Sequence, residues 1–415
     1  MTASDINYHK LSNGLRIVHA EDTSTPNICF DILYDVGSRD ENPELTGLAH
    51  LFEHLMFGGS PNVRQFDREL EYAGGWSNAW TSADFTNFYD VLPAINAETA
   101  FRIESDRMNS LLFSHESLET QRSVVLEEFK QTCLNQPYGD MSHLIHGLVY
   151  ERHPYRFPVI GKEPEHIERV SNEDVRNFFF SHYGPNNAVL SVTGGLTFDQ
   201  VCSYAEKWFG DIAPIDVRVR NLPSEPEIDS PRRLTVRRKV PFPRITIAFP
   251  MAGRDDYGTP EYEAADAITD ILALGRSSRF YRKYIVPGIF TLADASIFGS
   301  RDAGYLMINA QIEENSDEAI EAAEQRLWAE LDHLKTDGVS STELHKVVNK
   351  LITRMEAGNV GFISKAQSMA LNTIMGITDD YIVGRYKSLT PETIRETARK
   401  IMEPVRSATL IYRPE

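Results

Sequence analysis

The chain has 415 residues, 41% hydrophobic and 25% charged, a composition that suits a folded globular protein and gives room for two domains. A net charge of −18 speaks against a nucleic-acid partner and suits either a well-solvated surface or an acidic chamber that attracts basic peptides. Its three cysteines are scattered and odd in number, which argues against a disulfide framework or a cysteine metal cluster, and no apolar run approaches membrane-spanning length.

In chain order, Asn13-Gly14 predicts a turn between two strands over 6–20, and 28–36 suits a further strand. Gly47 to Phe57 reads as a helix stopped by Gly58-Gly59-Ser60-Pro61. A short helix follows from Phe66 to Tyr72, then turns and strands from Gly74 to Pro93. Residues 94–113 and 116–133 read as helices, with more helix through Tyr150. Residues 172–183 and 197–209 are helical and enclose a buried strand at 187–193. The polar stretch 213–231, punctuated by Pro214, Pro223, Pro226 and Pro231, reads as a linker between domains 1–212 and 232–415.

The second half repeats the order of the first. Strands are expected at 234–236, 244–249, 303–312 and 408–412. Helices are expected at 260–285 with a break at Gly275, at 316–336 and 341–357, and from Leu389-Thr390-Pro391-Glu392 onwards. The element order points to a duplicated α+β unit.

Chemistry concentrates in His50-Leu51-Phe52-Glu53-His54. Two histidines four apart on a helix share a face and can reach one ion. Glu53, three residues after His50, projects to nearly the same side, where a carboxylate can accept the proton of an attacking water. His-x-x-Glu-His is the inverse of the common zinc-protease order. The bland alternative is a pair of satisfied histidines on an amphipathic helix. A zinc site also needs a third protein ligand. The adjacent Glu127 and Glu128 are attractive, and spacing does not choose between them. His143 and His146 have no neighbouring carboxylate to complete a set and suit a partly exposed helix face.

The flanking blocks decide between these readings. Leu11-Ser12-Asn13-Gly14-Leu15, Val36-Gly37-Ser38-Arg39 and Thr46-Gly47-Leu48-Ala49 precede or lead into the motif. Gly74-Gly75-Trp76-Ser77-Asn78-Ala79-Trp80-Thr81-Ser82, His153-Pro154-Tyr155, Ile160-Gly161 and Tyr183-Gly184-Pro185-Asn186-Asn187-Ala188 follow it. Together they resemble the pitrilysin-type zinc peptidases, in the smaller-subunit branch that includes mitochondrial processing peptidase. The resemblance implies two homologous α+β domains, each an antiparallel-rich sheet flanked by helices, forming half of a clam-shell chamber. It implies Zn2+ on His50, His54 and Glu128, with Glu53 as the base. It also implies an edge strand at Asn78 and Ala79 that pairs with a peptide substrate.

Two positions depart from the family pattern. Gln121 stands where a second glutamate is usual, seven residues before Glu128, and can still hydrogen-bond a ligand histidine. An Arg/Tyr pair expected in the second half falls on Tyr284 and Thr291 and is missing. A related chain is therefore expected to supply it in a heterodimer, with a homodimer as the alternative arrangement. Asp266-Ala267-Ile268-Thr269-Asp270 overlays the metal motif without its histidines, so no second zinc is expected. The competing function is a non-catalytic peptide-binding or assembly subunit, and the intact motif favours catalysis. The first residues lack a basic flank and an apolar core, so the expected compartment is the cytoplasm, or the periplasm or an organelle if a targeting segment was removed.

Overall fold

The computed structural model describes residues 6–217, 220–255, 259–299 and 301–415. The chain forms two compact units. The first comprises 1–129, 157–222 and 356–378, and the second 130–156, 223–355 and 379–415. Packing therefore interleaves the sequence, because each unit contains a helix from beyond the 213–231 segment or before it.

Eleven strands occur among the described residues: β1 (Ile6–Lys10), β2 (Arg16–Glu21), β3 (Asn27–Tyr34), β4 (Trp76–Thr81), β5 (Thr86–Pro93), β6 (Ala188–Gly194), β7 (Arg232–Arg238), β8 (Arg244–Met251), β9 (Leu292–Phe298), β10 (Gly304–Gln311) and β11 (Ala408–Pro414). The first unit's helices are α1 (Leu48–Leu55), α2 (Phe66–Tyr72), α3 (Glu98–Asn109), α4 (His115–Phe129), α6 (Pro164–Arg169), α7 (Asn172–His182), α8 (Phe198–Phe209) and α12 (Phe362–Met375). The second unit's are α5 (Met141–Val149), α9 (Glu261–Ala273), α10 (Asp317–Thr336), the main part of α11 (Ser341–Gly358), α13 (Asp379–Lys387) and α14 (Pro391–Ile401). None of them is long and apolar enough to cross a membrane.

In the first unit the sheet order is β1-β2-β6-β3-β5-β4. Only β2 and β6 run parallel; the remaining neighbours are antiparallel. The period-two alternation of β3 sends Ile28, Phe30 and Ile32 to the main core, with Phe52, Phe101 and Phe179. Leu33 and Cys29 point to the opposite face, where Ala366, Met369 and Ala370 of α12 cover them. Both faces of the sheet are buried, which explains why β3 and β6 read as nearly continuous apolar runs.

The second unit repeats the pattern with the order β7-β11-β8-β10-β9. Again only one pair, β7 with β11, is parallel. Ile245, Ile247 and Phe249 pack with Ile268, Leu327 and Leu331 on one face. Near α5 the His146 ring meets Phe298 and Tyr305. Matching strand order and pairing make the two units homologous in topology, as the repeated elements predicted. Four elements lie outside the sequence reading: α6, β9, α12 and α13. The helix expected over 260–285 with a break at Gly275 runs from Glu261 to Ala273, breaks around Gly275 and resumes as a helical turn over Tyr281–Ile285.

Candidate metal centre

Helix α1 buries one face in the main core of the first unit. Leu48, Ala49, Leu51, Phe52 and Leu55 are buried, and Phe52 stacks on Tyr183 with ring centroids 4.7 Å apart. The complementary stripe carries His50, Glu53 and His54. The helix starts at Gly47, whose φ of +88° favours glycine, and a Cβ there would lie 2.9 Å from the Ile160 carbonyl oxygen. Gly47 has no side chain to cap the first turn. Buried Glu41 does so instead, accepting the N–H groups of Gly47 at 2.8 Å and Ala49 at 2.7 Å on its two oxygens. Burial pushes the Glu41 carboxyl up to about 8 despite these bonds.

Opposite α1 runs α4. Of the two adjacent carboxylates, Glu128 faces the histidines: its Oε2 lies 3.6 Å from His50 Nε2 and 3.5 Å from His54 Nε2. Glu127 is exposed. Successive helical residues point about 100° apart, so the orientation of α4 selects one of the pair. Among the described residues this is the one cluster of three such ligand groups, with all donor atoms within 4.8 Å of one another.

The donor set fits zinc. Two imidazole nitrogens and a carboxylate oxygen match a catalytic zinc set, and bonds of about 2.0–2.1 Å would separate tetrahedral ligands by about 3.4 Å. Burial lowers the His50 pKa, partly opposed by Glu128, and so favours the neutral imidazole that binds metal. The two rings meet edge-on, 5.0 Å apart.

Glu53 lies beside the cluster. Burial raises its pKa, against the lowering effect of a hydrogen bond from Thr81 Oγ1 to its Oε2 at 2.6 Å. Thr81 closes β4, the last strand in its sheet and hence an open edge. Asn78 sits opposite Tyr89 on β5, and its Oδ1 accepts the Ala79 N–H at 2.8 Å. Ala79 packs against the main core. The Ser82 N–H meets the Phe85 carbonyl at the hairpin turn. By antiparallel alternation Asn78 and Trp80 then turn their backbone to β5, while Ser77, Ala79 and Thr81 turn theirs to the open edge.

Gln121 hydrogen-bonds neither histidine, and His50 Nδ1 is buried with no partner among the described residues. His146 does not line an exposed helix face: it is buried in an aromatic cluster, and burial pushes its pKa down to about 4. Tyr284 packs on Phe290 and donates its hydroxyl to the Arg326 carbonyl, while Thr291 leads into β9. Neither position carries a guanidinium. Glu41 and Thr81 had no role in the sequence reading, although both lie in or beside its quoted blocks.

Two family models match this chain: "Insulinase (Peptidase family M16)" over residues 16–160 and "Peptidase M16 inactive domain" over 169–351. The chain belongs to peptidase family M16, the pitrilysin-type family that its sequence blocks resemble. It is 26% identical to "Zinc protease PqqE" of Helicobacter pylori over 97% of this chain and 92% of that one. It is 26% identical to a "Probable mitochondrial-processing peptidase subunit beta, mitochondrial" of Arabidopsis thaliana over 50% of this chain and 39% of the relative. In fold it is similar to the crystal structure of a protease from Helicobacter pylori, with a TM-score of 0.90 at 24% identity, covering 99% of this chain and 100% of that one.

Proposed function

We propose that this chain is the metal-bearing subunit of a zinc endopeptidase that hydrolyses peptides or unfolded segments. One observation carries the reading: His50, His54 and Glu128 converge with the carboxylate of Glu53 beside them. Zinc held by those three side chains would polarise a scissile carbonyl and make a water more acidic. Glu53 would take the proton of that water on Oε1, the oxygen not engaged by Thr81, as the water oxygen bonds to the carbonyl carbon. The same carboxyl would return the proton to the amine as the C–N bond breaks. The open edge of β4 around Asn78 and Ala79 would hold the peptide by strand addition. Gln121, two turns before Glu128 on α4, bonds neither histidine in this structure and would orient one only after a change of rotamer.

The chain lacks the Arg/Tyr pair at Tyr284 and Thr291, and one relative is named as a subunit. We therefore propose a related partner chain that supplies donors to the developing oxyanion. The missing pair also favours a second reading, a subunit that binds peptides without cutting them.

The test is a Glu53→Gln variant in the complex that co-purifies with this chain from its source. Zinc content should be retained while peptide cleavage falls by about 1,000-fold or more, within the range of general-base removal. Undiminished turnover would remove Glu53 from the mechanism. A wild-type complex that binds peptide without cleaving it would favour the second reading. Equal rates for the isolated chain and the complex would end the partner proposal.

A further inference from the structure

Thr81 lies where the strand proposed to dock the peptide meets the side chain proposed to act as base. Its hydroxyl is 2.6 Å from Glu53 Oε2, and it is the donor, since an ionised carboxylate only accepts. The two residues are distant in sequence, on β4 and α1. Glu53 reaches Thr81 through three side-chain torsions, so this hydrogen bond fixes which oxygen is engaged and which is left for the proton. Thr81 is β-branched and closes a strand, both of which restrict its own χ1. Its backbone is among those turned to the open edge, in step with Ser77 and Ala79.

We infer that Thr81 is a positioning residue that couples peptide docking on β4 to the orientation of Glu53. This rests on the peptidase reading above. A peptide added to the edge would restrain the backbone of Thr81, and the hydroxyl of the same residue holds the base. An extended backbone in register is then presented to a base already oriented. A purely structural hydroxyl would predict something else: lower thermal stability and weaker peptide binding, with no selective loss in kcat.

The experiment uses the co-purified complex carrying Thr81→Val, Thr81→Ser or wild-type chain, with zinc content, thermal midpoint, peptide binding and steady-state cleavage measured on each. In Thr81→Val, kcat should fall by about 10- to 100-fold with KM within about two-fold, the scale expected of a misplaced catalytic group. Its zinc content, thermal midpoint and affinity for peptide in chelator-treated protein should match wild type. Thr81→Ser should restore most of kcat. In a Glu53→Gln background, Thr81→Val should cause no further loss, because the two residues act as one unit. A wild type that cleaves while Thr81→Val keeps its kcat overturns this inference alone. Full additivity of the two substitutions, or a loss confined to stability, also overturns it. A zinc-loaded wild type that cleaves no peptide overturns the peptidase reading and the inference with it.

Discussion

Helix α1 and helix α9 hold the same place in two sheets of one topology. α1 connects β3 to the edge strand β4, and α9 connects β8 to the edge strand β9. Each helix carries two polar residues four apart: His50 and His54 in the first unit, Asp266 and Asp270 in the second. What lies opposite differs. His50 and His54 face the carboxylate of Glu128. Asp266 accepts the Tyr386 hydroxyl at 2.6 Å, and Asp270 pairs with Arg354 at 3.0 Å. The second unit supplies its own cation, so its buried acids are satisfied within the chain. The first gathers electron-pair donors around an imidazole that burial holds towards its neutral form. Position in the fold is common to both; the charge on the facing element decides which one suits a metal.

The comparison can be broken at either end. The largest effect is expected at Glu128. Glu128→Ala should weaken zinc binding by more than the roughly 10- to 100-fold typical of outer-shell changes, while Glu127→Ala leaves it unchanged. Metal titration followed by competition with a chelator measures both, and equal behaviour of the two variants would remove the distinction drawn between them.

In the second unit the expected effect is on stability. Arg354→Met leaves Asp270, whose side chain is 8% exposed, without its cation. Because Arg354 is itself half exposed, the cost should lie between the surface and buried limits, at about 1–2 kcal/mol in denaturant unfolding. Zinc content should not change. A loss of zinc with Arg354→Met would show that the second cluster supports the first.

A third effect is one of pH. Asp31, buried on the α12 face of the first sheet, has its carboxyl pushed up to about 8 by desolvation. The folded chain then keeps a proton that the unfolded chain releases near pH 4. The associated stability is complete below that value, declines as pH rises and is lost by about pH 8. Unfolding of Asp31→Asn across pH 5 to 8 should show a flatter profile than wild type. An unchanged slope would assign the pH dependence to other groups.

Much of this was legible in the sequence because local periodicity carries it. His50, Glu53 and His54 share a stripe on any helix, and Asn13-Gly14 makes a hairpin turn wherever it lies between two strands. Glu128 was not separable from Glu127 by spacing, since only the orientation of α4 distinguishes them; the family resemblance was needed. Glu41 and Thr81 were silent for another reason. One caps a helix that begins six residues later, and the other approaches its partner across 28 positions, a contact set by packing alone. α12 was missed because its buried face is made of small or flexible residues, Ala366, Met369 and Ala370, and its partner is a sheet built mostly from the other half of the chain. β9 was silent because Ala293, Asp294 and Ala295, three of its seven residues, are of types depleted in strands. Gln121 lies on the expected helix, α4, and makes no hydrogen bond to either histidine.

The most direct measurement is cleavage of an unfolded peptide by the co-purified complex before chelation, after chelation and after zinc is returned. The account predicts cleavage that disappears with the metal, returns with zinc, and fails to return when the chain carries His54→Ala. Cleavage that survives complete removal of zinc, or that returns equally in His54→Ala, would contradict it.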